Sequence, residues 1–233
     1  MAVPTLLIRQ LRYQRGAVGT EGAFALNIEE LALQPGETVG VVGPSGCGKS
    51  TLIDLLALLR RPTSVDTFQL LDRDVASLWR RNATDACTDL RARHIGVVLQ
   101  TGGLLNSVTA RENVMLSQRL LGRVDASWVD TLFDALDLAA LGHRRPAQLS
   151  IGQRQRVAVA RALAHRPALV LADEPTASLG IDHAPGALDL LLGLASTSGA
   201  AMVIVSHDTE LLRERGVRLR HCVARNGMVE LAQ

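Results

Sequence analysis

A glycine-rich segment at positions 43–50 carries the residue types that bind a polyphosphate. It reads G-P-S-G-C-G-K-S and matches the pattern G-x-x-x-x-G-K-[ST]. Glycines let successive backbone N–H groups curl around an anion, and the lysine adds a positive charge beside the phosphate oxygens. A hydroxyl next to that lysine suits a magnesium ion held by the same phosphates. The segment therefore predicts a nucleoside triphosphate site.

Each residue of this loop has a predicted task. Lys49 neutralises the β- and γ-phosphates, Ser50 offers its hydroxyl to Mg²⁺, and the helix that begins near Lys49 adds the positive end of its dipole. Cys47 is either a small residue that the loop tolerates or a thiol open to alkylation and oxidation. The predicted nucleotide-binding set in the loop is Gly43, Pro44, Ser45, Gly46, Cys47, Gly48, Lys49, Ser50 and Thr51.

Two neighbouring carboxylates follow a second apolar segment. Positions 168–172 read A-L-V-L-A, and Asp173 and Glu174 come directly after them. Ligands of open α/β sheets bind at the carboxyl ends of the strands. Asp173 is therefore predicted to hold Mg²⁺ through its water shell, and Glu174 to polarise the attacking water as a general base. For the carboxylate pair alone, a polar turn that ends the strand is the alternative.

Two further polar side chains end apolar segments. His207 follows the segment 201–205 after one serine, and Gln100 directly follows the segment 95–99. At the same sheet edge, His207 can reach the γ-phosphate or the water, and Gln100 can contact Mg²⁺ or the water. Each residue alone also fits a structural role. The predicted catalytic set is Glu174, His207 and Gln100, and the predicted metal set is Ser50, Gln100 and Asp173.

Hydrophobic patterns indicate the elements that position these residues. Strands that alternate with helices predict an α/β fold with a mostly parallel sheet. Period-two alternation near the start predicts a small antiparallel sheet, and a turn at Asn226 and Gly227 predicts a terminal hairpin. The predicted buried strands are 38–42, 95–99, 168–172 and 201–205, the helices are 50–60, 125–141 and 152–165, the antiparallel strands are 6–12 and 24–31, and the hairpin strands are 221–225 and 228–231.

Composition and charge argue against several classes of protein. The net charge of +2 is too weak to indicate nucleic acid, and 47% hydrophobic with 3% aromatic residues predicts an aliphatic core. The cysteines Cys47, Cys87 and Cys222 are sparse, which fits a reducing cytosol better than a disulfide scaffold. The first residues lack the pattern of a signal peptide. The uncharged stretch 190–206 predicts a helix end, a turn and a buried strand rather than a membrane span, so a membrane role requires a partner.

The segment 149–156, L-S-I-G-Q-R-Q-R, precedes a helical pattern and resembles the signature of ABC-type ATPases, usually Leu-Ser-Gly-Gly-Gln. The phosphate loop, Gln100, this signature, the acidic pair and His207 follow in the order of that family over almost the whole chain. The resemblance implies a P-loop NTPase core, ATP and Mg²⁺ as cofactors, and ATP hydrolysis that drives a separate transmembrane permease. It also implies a peripheral position on the cytoplasmic face of the inner (plasma) membrane.

The resemblance implies a second copy of the cassette as partner. Two ATP molecules would be sandwiched head to tail, and hydrolysis would reopen the homodimer. Ser150, Gly152 and Gln153 would contact the nucleotide of the other copy. Tyr13 is the aromatic expected to stack on adenine, with Phe24 as its rival and core packing as the alternative for either.

The resemblance also implies a division of the single domain 1–233. Segments 1–100 and 156–233 would form the nucleotide-binding core with an antiparallel β subdomain, and 101–155 an inserted helical subdomain. The loop after Gln100 would touch the permease. Segments 68–74 and 104–114 look like those of lipoprotein-releasing and macrolide-exporter cassettes, although importer cassettes share much of the pattern. The membrane subunits, rather than the cassette, would choose the substrate and the direction.

Two positions depart from the family pattern. Ile151 stands at a glycine position, which strains the backbone if φ is positive there and is harmless if φ is negative. Gly180 stands where an aspartate is usual, and Asp182 is the nearby substitute. Because the phosphate-loop lysine, both carboxylates and the histidine remain, we predict an active ATPase. A non-hydrolysing regulatory cassette and a soluble ATPase of translation or DNA repair are the alternatives.

Overall fold

The computed structural model describes residues 3–16, 23–179, 183–225 and 228–232. Strands and helices alternate through most of these ranges. In chain order they are β1 (Leu6–Arg15), β2 (Phe24–Leu33), β3 (Thr38–Val42), α1 (Lys49–Leu56), β4 (Thr67–Leu70), β5 (Arg73–Asp74), α2 (Val75–Arg80), α3 (Thr84–His94), β6 (Ile95–Val98), α4 (Ala110–Leu120), α5 (Ala126–Ala135), α6 (Ile151–Leu163), β7 (Leu169–Asp173), α7 (Ala184–Ser198), β8 (Ala201–Ser206), α8 (Thr209–Glu214), β9 (Arg218–Arg225) and β10 (Met228–Ala232). Short 3₁₀ helices lie at Ala139–Leu141 and Pro146–Gln148.

The predicted parallel strands lie side by side in the order β3-β8-β7-β6. All three pairings between them are parallel. Every residue of β8 is buried, as expected for a strand covered on both faces. The four predicted strands are confirmed, and each end differs by at most one residue from the prediction.

The predicted helices are also present, and all three end early, the helix predicted over 152–165 by only two residues. The helix predicted over 50–60 is α1, which ends at Leu56, because Leu58 has a φ of 55°. The helix predicted over 125–141 ends at Ala135, because Asp137 has a φ of 55°, and a 3₁₀ turn follows. Left-handed backbone cannot continue a right-handed helix.

The predicted antiparallel strands near the start are present, and they belong to the same sheet as the parallel strands. β1 pairs antiparallel with β2, from Leu6 opposite Leu33 to Arg15 opposite Phe24. β2 also pairs with β10, β10 with β9, and β9 with β3, so one sheet runs through all the described strands. The terminal hairpin of β9 and β10 is confirmed, while its predicted turn residues Asn226 and Gly227 lie outside the described residues.

The core is aliphatic, as the composition predicts. Apart from Phe68, the largest fully buried side chains are leucines and isoleucines. They form two clusters, one of which includes α1 and the antiparallel strands, while the other includes α4, α5 and α6. This packing holds the strand ends at one edge of the sheet in fixed positions.

The segment proposed as a helical subdomain, 101–155, contains α4, α5 and the beginning of α6. Thr109 and Glu112 form a reciprocal capping box at the start of α4.

Among the described residues, no helix is long and apolar enough to cross a membrane. The stretch 190–206 folds as the end of α7, Gly199 in a left-handed conformation, and β8, as predicted.

Candidate nucleotide-binding site

A cleft of about 670 Å³ lies at the carboxyl ends of β3, β7 and β8. It gathers residues that the sequence placed in four separate segments. The parallel pairing of β3, β8 and β7 explains this convergence, because all three strands end at the same edge. The lining residues are Ser45, Gly46, Gly48, Lys49, Ser50, Thr51, Gln100, Asp173, Glu174 and His207.

The loop between β3 and α1 depends on two glycines with positive φ. Gly46 has a φ of 78° and Gly48 has a φ of 93°, a region that side chains with a Cβ rarely adopt. A Cβ on Gly48 would also lie 2.2 Å from the ring of Phe24. The first turn of α1, beginning at Lys49, faces the cleft, and its unpaired N–H groups make a site for phosphate.

Lys49 is the single lysine of the sequence, and it lines the cleft. Its side chain is only 8% exposed. The ammonium donates to the carbonyl oxygens of Gly43 at 2.9 Å and Pro44 at 3.1 Å, and it lies 4.0 Å from the Oε1 atom of Glu174. A buried cation in this place can neutralise the charge of a polyphosphate.

Asp173, the last residue of β7, lies in hydrogen-bond contact with the Ser50 hydroxyl. Burial raises the pKa of the Asp173 carboxyl, and the hydrogen bond from Ser50 opposes that rise. A hydroxyl and a carboxylate are oxygen donors that fit Mg²⁺, which usually keeps waters and phosphate oxygens as its remaining ligands. The described residues contain no group of three or more His, Cys, Asp or Glu side chains placed to hold a metal by themselves.

Glu174 has an unusual backbone and a nearly buried carboxylate. Its φ is 49°, in the left-handed region, and its side chain is 14% exposed. Nδ1 of His207 makes a 2.8 Å hydrogen bond to Oε2 of Glu174. The carboxylate therefore points over the cleft between His207 and Lys49. A carboxylate fixed beside a phosphate site can take a proton from water.

Gln100 follows the end of β6 and lines the same cleft. Its carbonyl oxygen accepts a hydrogen bond from the Ser178 hydroxyl at 2.8 Å. The next residues form a tight turn in which Gly102 and Gly103 have φ values of 73° and 57°. Two hydrogen bonds from Arg161 of α6 hold the carbonyls of these glycines at 2.9 and 2.7 Å. The position of Gln100 thus depends on α6.

The signature residues lie away from this cleft within the described part of the chain. Ser150, Gly152 and Ile151 line another cavity, of about 790 Å³. Ser150 caps α6, where its hydroxyl oxygen accepts from the Gln153 N–H at 3.2 Å and its own N–H donates to Oε1 of Gln153 at 2.9 Å. In this arrangement, these residues therefore do not contact a nucleotide bound in the chain's own cleft.

The structure answers one of the two questions about departures from the signature pattern. Ile151 is the first residue of α6 and lies outside the left-handed region, so a β-branched residue is tolerated there. Its side chain is 53% exposed. The other departure, Gly180, and its possible substitute Asp182 lie outside the described residues.

The two aromatic candidates for adenine stacking are neighbours. The centroids of the Tyr13 and Phe24 rings lie 6.5 Å apart. Arg60 donates to the Tyr13 hydroxyl at 3.0 Å, while Phe24 lies against Gly48 of the phosphate loop. Phe24 is thus closer to the loop, and stacking by Tyr13 stays a prediction.

The thiol of Cys47 faces the protein interior. It is hydrogen-bonded to the thiol of Cys222, and both side chains are buried. Burial and the neighbouring Cys47 thiol raise the pKa of Cys222 from 9.0 to about 12. This environment favours the interpretation of Cys47 as a small residue that the loop accommodates.

Sequence reasoning missed three polar residues that hold the loops of the site. Ser178 and Arg161 contact the backbone around Gln100, and Gln155 donates to the Pro175 carbonyl at 2.8 Å. Only Gln155 could have been found from the sequence, because it is a polar residue at the start of the otherwise apolar buried face of α6.

Comparisons with known proteins find similar sequences. Residues 26–177 match the family model described as ABC transporter. The lipoprotein-releasing system ATP-binding protein LolD of Psychrobacter arcticus is 40% identical over 220 residues, which are 90% of this chain and 92% of that protein. The protein of the same description from Novosphingobium aromaticivorans is 40% identical over 230 residues, 96% of this chain and 99% of that protein.

Solved structures are similar over nearly the whole chain. A dimeric ATP-binding cassette in a post-hydrolysis state, bound to ADP and Pi, has a TM-score of 0.77 and 28% identity, and the match covers 98% of this chain and 97% of that one. The structure of cbiO1 from Clostridium perfringens, part of the ABC transporter complex cbiONQ, has a TM-score of 0.78 at 22% identity and covers 98% and 87%. The second match concerns the fold alone.

Proposed function

Because the chain belongs to the ABC transporter family of ATP-binding cassettes, we propose that it is the motor subunit that drives a separate transmembrane permease. The chain is an ATP-binding subunit with the ATPase activity of this family. The observation that carries the proposal is the meeting of Lys49, Asp173, Glu174 and His207 in one cleft.

In the proposed reaction, the phosphate loop and the first turn of α1 bind the β- and γ-phosphates, and Lys49 neutralises their charge. Ser50 and Asp173, assisted by Gln100, would hold Mg²⁺, which supplies further charge neutralisation at the phosphate oxygens. Glu174 takes a proton from a water molecule while the oxygen of that water forms a bond to the γ-phosphorus. The bond from that phosphorus to the bridging oxygen breaks, and ADP and phosphate leave.

In this scheme, His207 positions Glu174 and contacts the γ-phosphate or the water. Its Nδ1 hydrogen bond to Glu174 orients the carboxylate toward the water. The opposite ring nitrogen, Nε2, remains for the γ-phosphate or the water, and the His207 side chain is 66% exposed. The histidine thereby connects the γ-phosphate with the proton acceptor.

We also propose that the active form is a homodimer that encloses two ATP molecules. Ser150, Gly152 and Gln153 lie at the N-terminus of α6, a position that attracts phosphate, and Ser150 and Gly152 line a cavity separate from the chain's own cleft. A second copy placed head to tail would bring these residues to the phosphates. The dimeric cassette with ADP and Pi supports this arrangement, at 28% identity over 98% of the chain.

The relatives support a role in a lipoprotein-releasing type of system. The cassettes from Psychrobacter and Novosphingobium carry that description and match the chain nearly end to end. The proposed location is the cytoplasmic face of the inner membrane, with the permease seated against the loop after Gln100. Leu99, just before Gln100, and Leu105, within that loop, are 40% and 46% exposed, which suits an apolar contact.

Two experiments test the proposed function. Glu174→Gln should bind ATP without hydrolysing it, so gel filtration with Mg-ATP should shift the variant to a dimer, while Mg-ADP should leave it monomeric. Expression with the permease of the same system should let both chains be purified together from detergent extracts. A variant that stays monomeric in saturating ATP, or a chain that never accompanies the permease, would overturn the proposal.

A further inference from the structure

The signature helix α6 carries a buried amide that reaches the backbone next to Glu174. Gln155 is 4% exposed, and its Nε2 donates to the Pro175 carbonyl oxygen at 2.8 Å. The buried residues that follow it on α6 are apolar, from Val157 to Leu163. Burying an amide among apolar neighbours costs free energy unless the amide is hydrogen-bonded. The bond to the Pro175 carbonyl therefore offsets the cost of burying Gln155.

Glu174 needs such a contact because its backbone conformation is unfavourable. Its φ of 49° lies in a region that non-glycine residues rarely adopt, and a following proline favours extended backbone instead. Three hydrogen bonds hold this corner. Glu174 N–H donates to Val205 O at 2.9 Å, Ala177 N–H donates to Glu174 O at 3.1 Å, and Gln155 fixes the Pro175 carbonyl.

We propose that Gln155 is a positioning residue for Glu174. Its hydrogen bond keeps the Glu174–Pro175 segment turned, so that the carboxylate stays between His207 and Lys49. The proposal rests on the general-base role proposed above for Glu174. Gln155 itself is not among the described residues that line the cleft.

The same helix connects this contact with the signature residues. Gln155 lies five residues after Ser150, which corresponds to about 7.5 Å along the helix axis. The backbone hydrogen bonds of α6 keep the spacing of these two residues fixed. A phosphate held by a second copy and docked on Ser150 and Gly152 would therefore act through α6 on Gln155, and through Pro175 on Glu174. The interface between two copies is thus linked to the proton acceptor.

A second buried glutamine provides a matched control. Gln118 of α4 is 2% exposed and donates to the carbonyl of Ala164 at 2.6 Å, just beyond the other end of α6. It makes the same kind of contact, from a side-chain amide to a backbone carbonyl. Its contact lies outside the set of residues that line the cleft.

The test compares Gln155→Met with Gln118→Met, since methionine keeps the length of the side chain and removes the donor. Both variants should lose stability, and Gln118→Met should lose at least as much, because Gln118 also accepts from the Asp125 N–H at 3.0 Å. Only Gln155→Met should lower kcat for ATP hydrolysis, by about tenfold or more, with KM for ATP unchanged. In its crystal structure, Glu174 should leave the left-handed region and its Oε2 should lie beyond hydrogen-bond distance of His207 Nδ1.

The outcomes separate this inference from the proposed function. A wild-type chain that hydrolyses no ATP even with the permease present removes the proposed function, while the two crystal structures still decide whether Gln155 fixes Glu174. Unchanged Glu174 geometry and unchanged kcat in Gln155→Met overturn the inference, and so does an equal loss of kcat in Gln118→Met. If Gln155→Met does not fold, Gln155→Asn gives the same test, because its shorter side chain keeps the amide but withdraws it from the Pro175 carbonyl.

Discussion

The carboxylate of Glu174 and the imidazole of His207 share a 2.8 Å hydrogen bond between Oε2 and Nδ1. The two residues follow the neighbouring parallel strands β7 and β8, where Asp173 pairs with Val205. The bond therefore ties together the ends of two strands at the edge where nucleotide is proposed to bind. It also fixes which ring nitrogen of His207 remains for phosphate.

Replacing His207 should slow hydrolysis without weakening nucleotide binding. His207→Ala removes the partner that orients Glu174, so kcat should fall by about 10²-fold, the lower end of the range for acid–base groups. Steady-state hydrolysis and ATP titration measure the two effects. His143→Ala, an exposed histidine outside the cleft, should leave both values unchanged, and a His207→Ala enzyme as fast as the wild type would contradict the assignment.

Replacing Lys49 should weaken nucleotide binding itself. Lys49→Met removes the ammonium held at Gly43 and Pro44, and the loss of a charge-assisted contact to phosphate should raise Kd for ATP roughly 100-fold. Fluorescent-nucleotide titration measures this change. Arg9→Met, which breaks the exposed pair with Glu30, serves as control for a lost surface cation and should leave Kd unchanged.

The two left-handed glycines of the phosphate loop should differ in their tolerance of alanine. Gly46→Ala adds only backbone strain, about 1–2 kcal/mol, because its Cβ position is open. Gly48→Ala adds the same strain and drives a Cβ to 2.2 Å from the Phe24 ring, so it should cost more. Urea unfolding measures both, and Phe24→Ala combined with Gly48→Ala should recover part of the difference. Equal losses for the two glycines would refute the contact.

The buried thiol pair should react slowly in the folded protein. With a pKa of about 12 in place of 9.0, Cys222 has a thiolate fraction of only about 10⁻⁴ at a pH near 8, and that fraction rises as the pH approaches the raised pKa. Iodoacetamide labelling followed by mass spectrometry should therefore accelerate with pH, and labelling in urea should be fast. Rapid labelling of Cys222 in the native chain would contradict the burial.

The loop after Gln100 should loosen when its clamp is removed. Arg161 is partly buried, burial lowers the pKa of its guanidinium, and its two hydrogen bonds hold Gly102 and Gly103. Arg161→Met should raise amide hydrogen exchange in that loop and cost about 1–3 kcal/mol of stability. Arg154→Met is the control, since Arg154 on the same helix binds Leu149 instead. Exchange that does not increase around Gly102 would rule out the clamp.

Much of the site could be predicted because its residues end strands or follow a local pattern. The phosphate loop is one continuous segment, and Gln100, Asp173 and His207 follow strands that a parallel sheet brings to one edge. The sequence could not predict that β10 joins the antiparallel strands to the parallel ones, because that pairing connects Leu26 with Val229. Such long-range pairing leaves no periodic signal within either segment.

The supporting contacts were likewise hidden in the sequence. The positive φ of Glu174 arises from tertiary hydrogen bonds to β8 and α6 and not from its own residue type. The Cys47–Cys222 contact joins residues from opposite ends of the chain. A buried polar residue on a helix, such as Gln155, is the one local sign of a loop that is held from a distance.

The most direct test of the account is steady-state hydrolysis of Mg-ATP by the wild-type chain and by Glu174→Gln, with ATP binding measured for both. We predict that the wild type turns over, that the variant loses at least about 10²-fold in kcat, and that both bind ATP with similar affinity. A variant that hydrolyses ATP as fast as the wild type would contradict the assignment of Glu174 as the proton acceptor. Absence of turnover in both chains with the permease present, despite bound ATP, would contradict the motor function itself.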